Sequence, residues 1–183
     1  MKIIAIAGSL RKGSYNKQLA LAAKEAVGGR AEFELLDYSD VPLFNEDIEF
    51  PAPASVRRVR EQVNAADAVW FFSPEYNHFF SGVLKNLIDW LSRDIEEEKD
   101  LLSGKPTAIS GASLGMGGTV TAQDHLVTLI SFLDMDVMND PRLTIPRVSK
   151  QADENGNLKL TDSAPFLKEQ ADAFLAFIEK RLK

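Results

Sequence analysis

Short, almost wholly apolar runs of β-branched and aromatic residues, each followed by a polar loop and a helix-spaced segment, constrain this chain more than any other feature. Residues 2–7 (KIIAIA) are the first such run, and 68–73 (AVWFFS) and 106–110 (PTAIS) repeat it. A strand with one face in water alternates apolar and polar residues. A run that is apolar on both sides belongs inside a parallel sheet covered on both faces. Helical spacing follows: Asn16 to Val27 places Leu19, Ala22, Ala23 and Ala26 on one side and stops at Gly28-Gly29. The helix Val83 to Leu91 and a segment from about 119 to 133 do the same. Strands at 31–36 and near 136–139, a helix at about 55–65 and an amphipathic helix at 164–182 complete the pattern. About five strands alternating with helices predict an α/β fold, an open parallel sheet with helices on both faces.

The chain has 183 residues, 45% of them apolar, which suits one domain spanning 1–183. With 21 Lys and Arg against 27 Asp and Glu, the net charge is −6. That field repels phosphate backbones and anionic lipid, so neither nucleic acid nor a membrane is an expected partner. There are no cysteines, which excludes disulfide scaffolds, thiolate nucleophiles, CxxC redox pairs and cysteine zinc sites together. Any redox chemistry must therefore come from a bound cofactor. His78 and His125 are too few and too far apart to ligate zinc in its usual spacings, and no metal is expected. The apolar start meets Arg11 and Lys12 too early for a signal-peptide core, and no run approaches about 18 apolar residues. A cytoplasmic location is the expectation. Glu96 to Asp100 reads as a solvated connection, 149–162 as an excursion or small hairpin turning at Asn155-Gly156, and Met135 and Met138 as core.

In a parallel sheet every strand-to-helix loop emerges at the same edge, where a ligand crevice opens. Three such loops stand out. The first, Gly8 to Asn16 (GSLRKGSYN), combines small residues, hydroxyls, two cations and a helix start. Backbone amides at a helix N-terminus form an anion site, to which Ser9, Ser14, Asn16 and Arg11 add donors. The loop is neither a GxxxxGK[ST] phosphate loop nor a GxGxxG fingerprint, so a monophosphate is the better fit. Helix capping by Ser14 or Asn16 is the plainer alternative. The second loop, Pro74 to Gly82 (PEYNHFFSG), places three aromatics and an amide where loops are ordinarily polar, which suits a flat heteroaromatic ligand. A buried turn or an oligomer contact would use the same residues. The third, Gly111 to Gly118, lets backbone approach something closely.

GSLRKGSYN after the first strand, PEYNHFFSGVLKNLIDW after the third, and SLGMGG with Ala122-Gln123 after the fourth resemble the NADPH-dependent FMN reductase family. The branch they are most similar to contains quinone-, chromate- and azo-dye-reducing flavoproteins, and the resemblance runs from residue 1 to about 140. It implies a flavodoxin-like three-layer fold with a five-stranded parallel sheet in the order 2-1-3-4-5 and one FMN per subunit. It also implies NADPH or NADH as co-substrate and a small-molecule electron acceptor such as a quinone, an azo compound, chromate or free flavin. Carried over by position, Ser9, Arg11, Ser14, Tyr15 and Asn16 hold the FMN phosphate. Pro74, Glu75, Tyr76 and Asn77 contact the isoalloxazine, and Ser113 lies near its other side. Members are typically homodimers or homotetramers with helices near the flavin at the interface, and Leu84, Leu87, Ile88, Trp90 and Leu91 are apolar enough to suit that. One departure matters: relatives usually follow PEYN with a small or polar residue and then Pro-Gly. His78-Phe79-Phe80-Ser81-Gly82 stands here instead, so bulky aromatics are expected to narrow the space over the flavin.

Two rivals use the same residues. Gly111 to Gly115 (GASLG) matches the GxSxG nucleophile elbow, but the one histidine after Ser113 is His125, within the next helix, so a triad does not close easily. A flavodoxin-type electron carrier would share the fold, the acidity and FMN without oxidising NAD(P)H directly. For a reductase the cofactor supplies the hydride chemistry and the protein positions it. No side chain is then required as acid or base for hydride transfer and no catalytic residue is assigned, though Tyr76, Asn77 and His78 stand where a substrate's polar group would be met.

Overall fold

The computed structural model describes residues 1–95 and 99–183, so Glu96, Glu97 and Glu98 of the acidic run lie outside it. Strands β1 (Lys2–Ala7), β2 (Glu32–Leu35), β3 (Ala68–Phe72), β4 (Pro106–Ala112), β5 (Asp136–Val137) and β6 (Leu143–Ile145) build a single parallel sheet. Helices α1 (Tyr15–Val27), α2 (Ala54–Asn64), α3 (Gly82–Leu91), α4 (Val120–Phe132) and α5 (Ala164–Arg181) cover it. The strand order is β2-β1-β3-β4-β5, the flavodoxin-like winding. The sixth strand is not anticipated by the sequence. Pro106 and Thr107 of β4 pair with β5, whereas Ser110, Gly111 and Ala112 pair with β6. Two fragments of two and three residues thus share one edge position, and LTI between Pro141 and Pro146 is too short to carry a period.

The strand period of two sorts the core into two layers. Ile3, Ala5 and Ala7 join Trp70, Phe72, α1 and α5 on one face; Ile4 and Ile6 join Val69, Phe71, α3 and α4 on the other. Trp70 anchors the first layer, with its ring 5.2 Å from Phe72 and 5.3 Å from Phe174. Its indole N–H donates to Ser110 Oγ (2.8 Å), and Ser110 donates to Gln170 Oε1 (2.6 Å). Gln170 Nε2 in turn donates to the carbonyls of Ile109 and Pro141, so every polar atom of this buried chain is satisfied and α5 is pinned to β4. Met135 and Met138 are core residues, and 149–162 folds back through an antiparallel bridge between Ala152 and Leu158.

One expectation is corrected. Leu84, Leu87, Ile88, Trp90 and Leu91 are at most 1% exposed, because α3 spends its apolar face on the chain's own sheet and on the small cluster around Ala52 and Val56. These residues leave nothing for a partner. Among the described residues no helix is long and apolar enough to cross a membrane.

Candidate functional site

The loops after β1, β3 and β4 meet at the carboxyl edge of the sheet, and each is tied to the other two. Loop 1 approaches loop 2 where Gly8 lacks a side chain: a Cβ there would lie 2.9 Å from Pro74 Cδ and 3.1 Å from Ser81 Oγ. Ser81 Oγ donates to Gly8 O (2.6 Å) and also accepts from Leu84 N at the start of α3. Loop 1 is joined to the end of β4 by Asn16, whose Nδ2 donates to Ala112 O (3.0 Å) while its Oδ1 accepts from Ala112 N (2.9 Å). Loop 2 reaches α4 through Glu75, whose Oε2 accepts from Ala122 N (3.0 Å), placing a carboxylate on the positive end of that helix.

These ties enclose a cavity of about 1000 Å³. All ten residues singled out from the sequence line it: Ser9, Arg11, Ser14, Tyr15 and Asn16 from loop 1, Pro74 to Asn77 from loop 2, and Ser113 from loop 3. On the loop 1 side, Ser14 caps α1, its Oγ accepting from Lys17 N (3.3 Å). The amides of Tyr15 and Asn16 have no acceptor among the described residues, and Ser9 and Ser14 are buried hydroxyls. Arg11 is exposed, its guanidinium 5.6 Å from the centre of the Tyr15 ring. Unpaired helix amides, two hydroxyls and a guanidinium form a cradle for one anionic group. Asn16 enters it by backbone only, since both ends of its carboxamide are committed to Ala112.

On the loop 2 side, Tyr76 N donates to Phe79 O and Phe79 N to Tyr76 O, closing a tight turn in which Asn77 (φ 51°) and His78 (φ 61°) are both left-handed. Two positive φ angles at the central positions mark a type I′ turn, which ordinarily uses Asn and Gly. Holding a non-glycine residue there costs about 1 kcal/mol, more than Asn needs and less than a β-branched residue would. The turn is held from both sides: Glu75 is fixed to α4, and Phe79 stacks on the His125 ring of α4 with centroids 4.3 Å apart. The amides of Asn77 and His78 have no acceptor among the described residues.

One expectation for this loop is overturned. Phe80 is 6% exposed and packs in the core layer with Leu84 and Leu87, and Phe79 is occupied by His125, so neither lines the cavity nor narrows it. In loop 3 the esterase rival finds no triad, as the sequence leads one to expect. Ser113 Oγ donates to Gly118 O and the His125 ring faces Phe79, so no nucleophile–base pair forms. Sequence reasoning missed Leu114, Met116, Val120 and Thr121 of the cavity wall. The first two are 67% and 76% exposed, and the last two open a helix, where nothing in the spacing distinguishes a wall residue from a surface one. Among the described residues no three His, Cys, Asp or Glu side chains gather as a metal site would require.

Residues 1–150 match the model of the family described as NADPH-dependent FMN reductase. The chain is 41% identical over 184 residues to an NAD(P)H-dependent FMN reductase of Pseudomonas aeruginosa, covering 98% of this chain and 96% of that protein. It is 36% identical to a 2-hydroxy-1,4-benzoquinone reductase of a Burkholderia species, covering 99% and 98%. Among solved structures it superposes on the flavoenzyme NAD(P)H:(acceptor) oxidoreductase of Paracoccus denitrificans with a TM-score of 0.88, at 34% identity and over 98% of each chain.

Proposed function

Because the chain belongs to the NADPH-dependent FMN reductase family, an FMN-containing, NAD(P)H-dependent oxidoreductase family, we propose that it passes electrons from NAD(P)H through bound FMN to quinones. Azo compounds, chromate and free flavin are further acceptors in the same reading. The observation that carries it is the convergence of an anion cradle, an aromatic turn with spare backbone donors and a glycine loop around one cavity of about 1000 Å³, a size suited to a mononucleotide with room for a second reactant.

The cavity fits FMN in the kind and order of its donors. In this assignment Ser9, Arg11, Ser14, Tyr15 and the Asn16 amide hold the phosphate. Pro74, Glu75, Tyr76 and Asn77 contact the ring system, and Ser113 stands near its other side. The chemistry that the cofactor supplies when bound is hydride exchange and electron transfer. The chain's own contribution is placement: the cross-ties fix the three loops before any ligand arrives, which lowers the ordering cost of binding. Residues 1–183 act as one FMN-binding unit in the cytoplasm. The protein assembles as a homodimer or homotetramer through the rim of the cavity, where Leu114, Met116 and Val120 are exposed apolar surface.

Replacing Arg11 by Ala is expected to weaken FMN binding by roughly tenfold or more, the worth of a charge-assisted contact to a phosphate. Titration of the protein with FMN, followed by quenching of free flavin fluorescence, measures this, and an unchanged affinity removes Arg11 from the phosphate site. For the activity, FMN-loaded protein is expected to oxidise NADPH rapidly when 1,4-benzoquinone is present. Turnover of NADPH no faster than in a protein-free mixture overturns the reading.

A further inference from the structure

Besides the residues assigned to FMN, the cavity wall carries an imidazole. His78 lines it beside Tyr76 and Asn77, and its Nδ1 lies 3.5 Å from Glu75 Oε1. Nε2 has no partner among the described residues, and the side chain is 85% exposed, so the ring is open to solvent and to a small molecule in the cavity mouth. Its backbone is left-handed, in a turn fixed by the Phe79 stack on His125 and by Glu75 on Ala122 N. These ties fix the backbone that carries the imidazole, and a carboxylate that is itself pinned stands behind it. His125, on the far side of Phe79, faces that ring rather than the cavity.

Reduction of a quinone by NAD(P)H consumes one proton: NAD(P)H, H+ and quinone give NAD(P)+ and hydroquinone. Two electrons and one proton leave NAD(P)H as a hydride equivalent, and the second proton must come from elsewhere. The other protic side chains lining the cavity are the Arg11 guanidinium, the amides of Asn16 and Asn77, the hydroxyls of Ser9, Ser14, Ser113 and Thr121 and the phenols of Tyr15 and Tyr76, all of types that are weaker acids than an imidazolium, and the Ser113 hydroxyl already donates to Gly118 O. Imidazole is the side chain that both gains and loses a proton near neutral pH. Building on the reductase reading above, we propose that His78 is the general acid for the acceptor and that Glu75 is its positioning residue. The Nε2–H bond breaks as an O–H bond forms on a quinone oxygen, and solvent returns the proton to the exposed ring. The Glu75 carboxylate, 3.5 Å from Nδ1, stands behind the ring and positions it.

The test compares two acceptors. Ferricyanide takes single electrons and no proton, whereas 1,4-benzoquinone needs the proton, so the ratio of the two NADPH-driven rates isolates the proton step from folding and from FMN loading. In His78→Ala that ratio is expected to fall about tenfold or more, the low end of general acid effects because water can reach the site. In His78→Gln, which keeps a donor but transfers no proton, it stays low, and added imidazole restores it in His78→Ala. A second readout does not use turnover. Binding of 4-cyanophenolate, a non-reducible stand-in for the hydroquinone anion, to the oxidised FMN-loaded protein weakens about fivefold or more in His78→Ala, read from the perturbed flavin spectrum. An unchanged ratio in both variants, or a loss in Tyr76→Phe without one in His78→Ala, overturns the proposal. A wild-type protein that passes NADPH electrons to neither acceptor overturns the reductase reading itself, and the proposal with it.

Discussion

Replacing Asn16 by Leu is expected to cost about 2–6 kcal/mol of stability and to do so in the absence of FMN. The substitution keeps the volume but removes both bonds to Ala112, leaving that residue's N–H and C=O buried without partners, and each such group costs roughly 1–3 kcal/mol. Asn16 itself is 3% exposed, so water does not replace it cheaply. Denaturant unfolding of apo-protein measures the loss. A variant as stable as the wild type when apo, but weak in FMN binding, would show that Asn16 acts chiefly as a phosphate ligand instead of a brace between loop 1 and β4.

Gly111→Ala is expected to be of comparable severity for a steric reason. A Cβ at Gly111 would lie 2.3 Å from Ser73 O and 2.3 Å from Thr119 Oγ1, closer than any real contact allows. Ser73 is held by the hydrogen bond from its N–H to Ser110 O, and Thr119, just before α4, accepts from Gln123 N through its carbonyl and from Gln123 Nε2 through its hydroxyl, so neither can retreat without moving Pro74 or Val120 at the cavity wall. Overpacking of this kind costs about 3 kcal/mol or more, which for a chain of this length is a fall of roughly 6–12 °C in Tm. FMN retention falls with it, because loops 2 and 3 are displaced together. Gly117→Ala is the control: a Cβ there meets nothing within 4 Å, and less than about 0.5 kcal/mol is expected. Thermal melts of both variants decide the matter, and equal melting temperatures would contradict the tight junction of β3, β4 and α4.

The fold was legible because buried parallel strands write themselves as apolar runs, and 2–7, 68–73 and 106–110 each became a central strand. The site was legible for a related reason: three loops of unusual composition stood after three of those strands, and topology alone brings such loops to one edge. What the sequence hid is what depends on partners distant along the chain. Periodicity reports that Leu84, Leu87 and Ile88 are buried but not against what, so an intramolecular face read as an intermolecular one. The fate of Phe79 turned on a helix 46 residues away, where His125 stacks on it. Likewise Asn16 offered itself as an anion ligand until Ala112, 96 residues on, claimed its carboxamide. Strand β6 escaped because three residues between prolines carry too little pattern.

An anaerobic visible spectrum of protein reconstituted with FMN and desalted, recorded before and after adding NADPH, tests FMN binding and NADPH oxidation together. Flavin bands that remain with the protein and bleach within seconds are the predicted result, since the cavity is read as holding FMN with space for a reductant. Retained bands that do not bleach would contradict direct oxidation of NAD(P)H and favour an electron carrier, and bands lost on desalting would contradict the assignment of the cavity to FMN.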